Sequence, residues 1–392
     1  MGYTQFSFLL FLCFCLLSFS SSIPHPCCKD QSISLLKFKK TFTIGHPTYC
    51  PYQSSTYPKT SSWNVSRDCC SWDGVTCDEM TGHVIELDLS RSQLVVNIDS
   101  NSSLFQLSHL QRLDLSKNNF SNSHISPEFG RLQSLRFSTS YATNLTLAAH
   151  DFKLLLQNLT QLTELYLSYV NISSTIPLNF SSHLTTLKLG GTGLYGIIPE
   201  SIFHLPNLEH LTYITVISSA GPIPESLSNL TSLVSLDLTS NTLNGTIPSW
   251  MFSHLPLLRY LILSDNHFSG QLEDFKSNSL VWIDLSNNQL QGHLPNSIQN
   301  LVNLTVLYLS FNNFSGHVDV ILFSDLKHLS DLDLSYNSIS LTNDNKVNFT
   351  WPETLFLLRF AACEVKELGF LRSAKQLQEL DISNNKISRK DS

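Results

Sequence analysis

The chain has 392 residues, of which only 14% are charged, and its formal net charge is -7. This charge balance provides no basic surface of the kind that binds nucleic acid. The polar residues are mostly Ser, Thr and Asn, which suits an extracellular protein. A chain of this length ordinarily forms two or three globular domains. A strong internal repeat, however, allows a single solenoid to contain most of the chain.

Residues 1–22 are predicted to be a signal peptide. Residues 6–19 (FSFLLFLCFCLLSF) form an apolar run that is followed by three serines and Pro24. The run is too short to span a bilayer as a helix but suits the apolar core of a secretion signal. No Lys or Arg precedes it, and a short buried helix is the alternative. No later stretch is long and apolar enough to predict a transmembrane helix in this sequence.

Secretion would give many asparagines a second role. In a secreted chain, Asn-x-Ser/Thr marks an acceptor for a bulky surface sugar. The repeat described below itself places Leu or Phe and then Ser or Thr after an Asn, so the sequence does not predict which acceptors are occupied. The pattern occurs at Asn64, Asn101, Asn119, Asn144, Asn158, Asn171, Asn179, Asn229, Asn244, Asn303, Asn313 and Asn348.

Residues 23–83 are predicted to form a cysteine-rich cap. In an oxidising compartment its cysteines should form disulfides, and six cysteines allow fifteen pairings. A zinc site is the alternative, but it is disfavoured because paired CxxC units are absent. Asp30 is the expected N-cap of a helix that carries Leu35, Phe38 and Phe42 on one face. The six cysteines are Cys27, Cys28, Cys50, Cys69, Cys70 and Cys77.

From residue 84 to residue 392 the sequence repeats about thirteen times. Segments 233–248 (LVSLDLTSNTLNGTIP) and 280–295 (LVWIDLSNNQLQGHLP) share the pattern LxxLxLxxNxLxGxIP. A repeat sustained this long predicts a leucine-rich-repeat solenoid. The first leucine positions are 22 to 27 residues apart, near Val84, Leu110, Leu135, Leu162, Leu184, Leu208, Leu233, Leu258, Leu280, Leu304, Leu329, Leu355 and Leu377.

The LxxLxL part of each repeat predicts a short strand. Its leucines point inward, and the residues between them face outward on the concave side. Strands of successive coils should pair into one parallel sheet, which gives an α/β fold shaped as a right-handed horseshoe or superhelix. No coil can bury its leucines alone, so each is stabilised by its neighbours.

The Asn position of the repeat should turn the chain after each strand. A side-chain amide both donates and accepts, so a buried ladder of them can pair the backbone groups left free at the turns. Val170, Thr192 and Val216 interrupt the ladder, and coils four to six should therefore turn less rigidly. Cys363 occupies the same position and is predicted to be a buried ladder residue, with intermolecular pairing as the alternative. The ladder comprises Asn118, Asn241, Asn266, Asn288, Asn312, Asn337 and Asn385.

Two repeats depart from the pattern. In the third, which we place at Leu135, Ser138 and Ser140 stand where leucines belong. In the last, Arg389 and Lys390 stand where Gly and Ile-Pro are expected. The last repeat is therefore predicted to be incomplete and to lack a cysteine-stapled cap.

The sequence does not predict an enzyme, a metal site or a cofactor. Residues 191–196 (GTGLYG) match GxGxxG, but a dinucleotide site needs a helix that starts at the turn. Here Ile197, Ile198 and Pro199 follow instead, and Leu194 and Gly196 occupy ordinary repeat positions. The histidines also fall at repeat positions, and no HExxH, GxSxG or kinase signature is present.

Binding by the concave sheet is the function that remains. Most of its outward positions read Asp-Leu-Ser, and aromatic residues are the departures from that consensus. Exposed aromatics are favoured at recognition surfaces, although aromatics also pack on one another along a sheet. We predict ligand contacts in three columns: Tyr166 with Tyr308, Tyr260 with Trp282, and Tyr169 with Phe311 and Tyr336.

Two segments carry a resemblance to a known family. Residues 61–90 (SSWNVSRDCCSWDGVTCDEMTGHVIELDLS) resemble the cap of plant leucine-rich-repeat receptors, and the GxIP extension resembles the plant-specific repeat class. The whole chain is similar to receptor-like proteins of the tomato leaf-mould-resistance kind. The resemblance implies a disulfide between Cys70 and Cys77, one from Cys69 to Cys27 or Cys28, and one from Cys50 to the remaining cysteine.

The resemblance also implies a function. It suggests the extracellular ligand-recognition region of a defence receptor that binds a protein or peptide and signals through a partner kinase. Such proteins continue into further coils, an acidic stretch, a transmembrane helix and a basic tail, which would place the full-length form at the plasma membrane. The alternative is a soluble secreted inhibitor similar to polygalacturonase-inhibiting proteins.

Overall fold

The computed structural model describes most of the chain after residue 24. The predicted signal peptide, Cys50, Asn144, Val216 and Asn348 lie outside the described residues, as do Ser138, Ser140, Arg389 and Lys390. The chain forms two compact units, Met1–Val96 with Ser100–Asn119, and Asn97–Asp99 with Phe120–Ser392. The described residues are 25–45, 57–96, 98, 101–120, 125–130, 132–137, 145–213, 221–343, 349–366 and 368–387.

The first unit begins with helix α1, Lys29–Lys39, which buries Leu35 and Phe38. Its N-cap is Cys28 rather than Asp30, so that prediction was wrong. The Cys28 carbonyl already accepts hydrogen bonds from the Gln31 and Ser32 amides, which leaves Asp30 in the first turn. A carboxylate there still favours the helix because it faces the positive end of the helix dipole.

Five strands complete the first unit together with three short 3-10 segments. Strand β2 is antiparallel to β3, β3 is parallel to β5, and β1 is antiparallel to β4. The strands are β1 Phe42–Ile44, β2 Val75–Cys77, β3 Val84–Asp88, β4 Leu94–Val96 and β5 Arg112–Asp114. The 3-10 segments are Lys59–Ser62, Cys69–Ser71 and Ser103–Gln106. Phe42, expected on the helix face, instead begins β1, with its ring 5.5 Å from that of Phe38.

The structure explains the tryptophans and the glycine of the cap segment, residues 61–90. The Trp63 and Trp72 rings stack 5.5 Å apart, and both are almost fully buried. The Trp63 indole donates to the Asp73 carbonyl at 3.0 Å. Gly74 has φ +80°, and a Cβ added there would lie 2.2 Å from the Asp88 carbonyl oxygen. Any other residue at position 74 would therefore displace β3.

Two disulfides staple the first unit. The structure joins Cys70 to Cys77 and Cys27 to Cys69. All four sulfur atoms lie close together, but as disulfides they offer no thiolate to a zinc ion. The Cys28 thiol lies 3.4 Å from Nδ1 of His83. Its pairing with Cys50 stays a prediction because Cys50 is outside the described residues.

The second unit is built from short parallel strands. In chain order they are β6 Ser134–Arg136, β7 Glu164–Tyr166, β8 Thr186–Lys188, β9 His210–Thr212, β10 Ser235–Asp237, β11 Asn244–Gly245, β12 Tyr260–Ile262, β13 His267–Gln271, β14 Trp282–Asp284, β15 Gln289–Gly292, β16 Val306–Tyr308, β17 Asn313–Asp319, β18 Asp331–Asp333, β19 Ser338–Thr342, β20 Leu357–Arg359 and β21 Glu379–Asp381. The helical segments are α2 Ala149–Asn158 and the 3-10 turns Pro127–Phe129, Glu200–His204, Glu225–Asn229, Ser249–Phe252, Asn296–Asn300, Val320–Phe323 and Gly369–Ser373.

These strands form two layers. Strands β6 to β10, β12, β14, β16, β18, β20 and β21 pair in that order into what we call the long sheet. From β6 to β20 the middle residue of each three-residue strand points into the core, as Leu165, Leu236 and Leu332 show by being completely buried, whereas Leu380 of β21 is 43% exposed. Strands β11, β13, β15, β17 and β19 form a short sheet on the other side of the same coils. The predicted parallel solenoid is therefore confirmed.

The glycine of the GxIP extension belongs to the short sheet. Gly270 and Gly316 have φ values of +80° and +94°. A Cβ added to Gly316 would lie 2.2 Å from Nδ1 of His293 in the preceding coil. The repeat therefore favours glycine here for its left-handed backbone, and at Gly316 any other residue would also displace the His293 side chain of the preceding coil.

The third coil has a different register from the predicted one. Leu135 pairs with Leu165, so it is the middle residue of its strand rather than the first leucine of the repeat. The inward residues are Leu132, Leu135 and Phe137, all at most 3% exposed. The prediction was wrong because Phe137 fills a leucine position. The coil is also longer than the others, since it contains the ten-residue helix α2 where most coils have a 3-10 turn.

The asparagine ladder is confirmed. The Asn337 amide donates to the carbonyls of Leu309, Leu334 and Ser335 at 2.9, 3.0 and 3.3 Å. Its oxygen accepts from the Phe314 amide at 3.0 Å. Because Leu309 and Phe314 belong to the preceding coil, this one side chain joins two coils. The other ladder asparagines make the same kind of contact: Asn118 to Leu89, Asn241 to Tyr213, Asn266 to Leu238, Asn288 to Leu263, Asn312 to Leu285 and Asn385 to Phe360.

Cys363 is a ladder residue, as predicted. Its thiol donates to the Leu334 carbonyl of the preceding coil at 3.2 Å, and the side chain is 6% exposed. Burial raises the pKa of the Cys363 thiol to about 11, which keeps it neutral and unreactive.

We expect Asn337→Ala to lower the free energy of unfolding by about 2–4 kcal/mol, because it leaves buried backbone groups of two coils without partners. Urea denaturation would measure this loss, and hydrogen exchange should show reduced protection of the Phe314 amide. Asn300→Ala, at an exposed asparagine, is the matched control and should change stability by less than about 0.5 kcal/mol. Equal losses in the two variants would contradict the ladder's role.

We expect Cys363→Asn to stabilise the protein by about 1 kcal/mol, because an amide at this position restores hydrogen bonds that one thiol cannot make. Cys363→Ala should destabilise it, since the Leu334 carbonyl then loses one of its two donors and keeps only the Asn337 amide. Urea denaturation of both variants and the wild type would measure the two changes in stability. If both variants are less stable than the wild type, position 363 does not accept an asparagine as the other ladder positions do.

Candidate ligand-binding face

The candidate face is the outward side of the long sheet. Three columns of residues cross it: the leading column (first residue of each strand), the trailing column (third residue) and the turn column (the residue just before each ladder position). The registers place Tyr260 beside Trp282 in the leading column. Tyr166 and Tyr308 both lie in the trailing column, on strands β7 and β16. The predicted columns are thus reproduced.

Trp282 and Tyr308 form the centre of the aromatic surface. Their rings meet edge to face with centroids 6.1 Å apart. The Tyr308 hydroxyl donates to Oδ1 of Asp331 on the next strand at 3.5 Å. Burial, and after it the negative charge of Asp331, raises the pKa of the Tyr308 phenol to about 12, so it stays a hydrogen-bond donor at physiological pH.

Phe311 and Tyr336 occupy the turn column. Both have positive φ, 54° and 56°, and this backbone turns their side chains out toward solvent. The rings stack 4.2 Å apart at an angle of 11°, yet remain 52% and 44% exposed. Stacking between neighbouring coils orders the pair without burying it, which leaves a rigid apolar surface for a ligand.

The remaining two predicted aromatics lie apart from these five. Tyr166 has the Arg136 guanidinium 4.4 Å and the Lys188 ammonium 5.3 Å from its ring centroid. Tyr169 packs over Gly191 of the next coil, where an added Cβ would lie 2.5 Å from the Tyr169 ring. Strands β8, β9 and β10 separate both from Tyr260. We therefore call Tyr260, Trp282, Tyr308, Phe311 and Tyr336 the aromatic strip and treat Tyr166 separately.

Sequence reasoning missed several residues of this face. Phe356, 43% exposed, lies directly before β20, in a position that the three predicted columns did not include. Asp331, which lies beside Tyr308, also departs from the consensus. It was missed because the prediction considered only aromatic departures. Arg359 forms ion pairs with Glu379 and with Asp333, and these could not be assigned without the register.

The consensus aspartates of the trailing column have a structural role. Oδ1 of Asp284 accepts from the Ser286 amide at 3.0 Å, and Oδ1 of Asp333 accepts from the Ser335 amide at 2.9 Å. Each aspartate thus pairs the backbone of the turn that follows its strand. One carboxylate oxygen is used in this way, and the negative charge stays on the outward face.

The predicted sugar acceptors lie off these strands. Ten of the twelve are among the described residues, and all ten are exposed. None of those ten belongs to a strand of the long sheet. Asn244 and Asn313 lie on β11 and β17 of the short sheet. Glycans at the described acceptors would therefore be attached outside the strands that carry the aromatic strip.

The GTGLYG segment is an ordinary turn of the fifth coil. Gly191 and Gly193 have positive φ, and Leu194 is completely buried. The next helical segment is the 3-10 turn Glu200–His204, which starts four residues after Gly196. Within the described residues, no helix begins at this turn to hold a pyrophosphate.

Several segments of the chain match known family models. Residues 28–78 match the family described as Leucine rich repeat N-terminal domain. Residues 224–268 match one Leucine rich repeat family, and residues 109–132, 279–301, 303–325 and 376–392 match a second. None of the helices in the described ranges has the length and apolar character needed to cross a membrane.

The chain is similar to curated plant proteins. It is 47% identical over 286 residues to Receptor-like protein Cf-9 of Solanum pimpinellifolium, covering 57% of this chain and 33% of that protein. It is 44% identical to Receptor-like protein 9DC1 of the same species, covering 61% of this chain and 34% of that protein. Receptor-like protein 6 of Arabidopsis thaliana is 36% identical over 59% of this chain and 27% of its own length. The chain thus spans about a third of the length of these relatives.

Solved structures share the fold. The ectodomain of the Arabidopsis receptor kinase HAESA, in complex with an N-terminally extended (lengthened) IDA peptide hormone, is 28% identical with a TM-score of 0.65, covering 91% of this chain and 65% of that one. HAESA in complex with IDA and the co-receptor SERK1 is also 28% identical, with a TM-score of 0.66 over 92% and 66% of the two chains. The chain thus contains leucine-rich repeats and the N-terminal domain that accompanies them, and it is homologous to the Cf-9 receptor-like proteins.

Proposed function

We propose that this chain is the extracellular ligand-recognition region of a plant cell-surface receptor-like protein in defence signalling. It binds a protein or peptide rather than catalysing a reaction, and the bound receptor signals through a partner kinase. The observation that carries the proposal is the aromatic strip on the outward face of the long sheet.

The strip has the physical properties of a binding surface. Aromatic side chains give up little conformational entropy when they bind and dominate the energy of many interfaces. Phe311 and Tyr336 are already fixed by stacking on one another, and the Trp282 ring is held against Tyr308. A ligand would therefore meet a preorganised apolar surface, which lowers the cost of association.

The relatives favour a receptor over the inhibitor alternative. The three relatives described above are named receptor-like proteins. HAESA, which shares the fold, is seen in complex with a peptide hormone and a co-receptor. By analogy, this chain binds a peptide or protein ligand, and a kinase co-receptor completes the signalling complex.

We expect the double variant Phe311→Ser/Tyr336→Ser to weaken ligand binding by about 1–2 kcal/mol, roughly a five- to thirtyfold rise in Kd. The full chain, secreted from plant cells, would be photo-crosslinked in extracellular fluid from infected and uninfected leaves. The captured ligand would then be purified, and its Kd would be measured for each variant.

Leu257→Ser is the matched control, because Leu257 is a similarly exposed apolar residue, 54% exposed, that lies outside the strands. Binding that survives the double variant unchanged, or that falls equally in the control, would rule out the aromatic strip as the ligand site.

A further inference from the structure

Charge is segregated along the outward face of the long sheet. At one end, β6 and β8 carry Arg136 and Lys188 on either side of Tyr166. We call these two cations the basic end. At the other end, β14 and β18 carry Asp284, Asp331 and Asp333, which we call the acidic end.

The basic end retains an uncompensated cation. Arg136 is paired with Glu164 at 2.8 Å, so its charge is largely neutralised. For Lys188, no carboxylate lies within ion-pair distance in the part of the chain that the structure describes, and its ammonium faces the Tyr166 ring. An ammonium placed beside an aromatic ring at a sheet surface fits an incoming carboxylate.

The acidic end retains an excess of negative charge. Asp333 is 3.8 Å from Arg359, but Arg359 is also bound to Glu379 and cannot neutralise all three aspartates. The Trp282 and Tyr308 rings lie among these carboxylates. Aromatic faces combined with carboxylates are the surroundings that Arg and Lys side chains prefer. Between the two ends, Glu209 and Arg259 lie just before β9 and β12 and have opposite charges, and Asp237 on β10 adds a single negative charge.

The spacing of the two ends fits an extended peptide. Four strand spacings separate β8 from β14, and six separate β8 from β18. At about 4.8 Å per spacing, the ends are roughly 20 to 30 Å apart. An extended chain rises about 3.3 Å per residue, so about six to nine residues bridge them. The strands are only three residues long, which leaves a width suited to a single extended segment.

We propose that the ligand is an extended peptide segment with an acidic group at one end and a basic group at the other. Its acidic group lies at Lys188 and its basic group lies among Asp284, Asp331 and Asp333, where the aromatic strip contacts the basic group and the residues next to it. This inference rests on the proposed function and specifies the chemistry of its ligand.

Three synthetic peptides would test the pairing of charges. The first has two aspartates and two arginines joined by a neutral spacer of about seven residues. The second has the same charges and a spacer of about three residues, too short to reach both ends. The third keeps the long spacer but has lysines in place of the aspartates. Their Kd values for the full chain would be measured at low and at physiological salt.

We expect the first peptide to bind about tenfold more tightly than the second. Lys188→Glu should weaken binding of the first peptide by about tenfold and strengthen binding of the third by a similar factor. Both effects should shrink as salt rises, because exposed charges are screened. The gain for the third peptide cannot come from misfolding.

Lys153→Glu on helix α2 is the matched control, since it makes the same charge change at an exposed site outside the long sheet. Equal effects of the two charge variants, equal binding of the three peptides, or no binding of any peptide would overturn the inference. If Phe311→Ser/Tyr336→Ser weakens all the peptides while the charge variants do not, only the charge assignment fails. If a peptide binds and neither the aromatic double variant nor the charge variants change its Kd, the face is not a peptide site. The proposed function then loses its support as well.

Discussion

The turn after each strand of the long sheet brings backbone carbonyl and amide groups into the interior, and the asparagine ladder pairs them. Asn312 illustrates the geometry: its amide donates to Leu285 of the preceding coil and to Leu309 of its own, while its oxygen accepts from the Leu290 amide. Neighbouring coils are thus joined by directional bonds as well as by leucine contacts. The spacing of the strands, and hence of everything on their outward face, depends on this interaction.

The residues of the turn column share one backbone conformation, including Tyr169, which precedes the interruption at Val170. The residue before each ladder position has positive φ, whether it is Asp265, Asn287, Phe311 or Tyr336. This conformation is uncommon for residues other than glycine, but because the coils repeat it, it reflects the architecture and does not by itself mark a functional site. What is specific to this chain is the choice of Phe311 and Tyr336 for an outward position that asparagine or aspartate fills equally well.

The sequence predicted most of the periodic structure and missed its exceptions. The outward columns and the asparagine ladder could be predicted because the repeat is regular. A given position of the repeat has the same neighbours in every coil that follows the pattern. The predicted register of the third coil was wrong because Phe137 fills a leucine position and helix α2 lengthens the coil. The predicted N-cap of α1 was wrong because the Cys28 backbone carbonyl occupies the capping position. Contacts between side chains of different coils, such as Arg359 with Glu379, depend on a register that the sequence pattern alone gives only approximately.

Val170 and Thr192, two interruptions of the ladder, lie in the coils of β7 and β8 at the basic end of the face. Thr192 donates to Leu189 of its own coil, whereas the asparagines also reach the preceding coil. Val170 has no side-chain donor at all. Lys188 therefore belongs to coils with fewer bonds between neighbours, while Asp284 and Asp331 belong to coils that the amides join. We expect the acidic end and the aromatic strip to be preorganised, and the basic end to adjust its distance from them. One end of the face would then fix the position of a ligand, and the other would accommodate variation in its length.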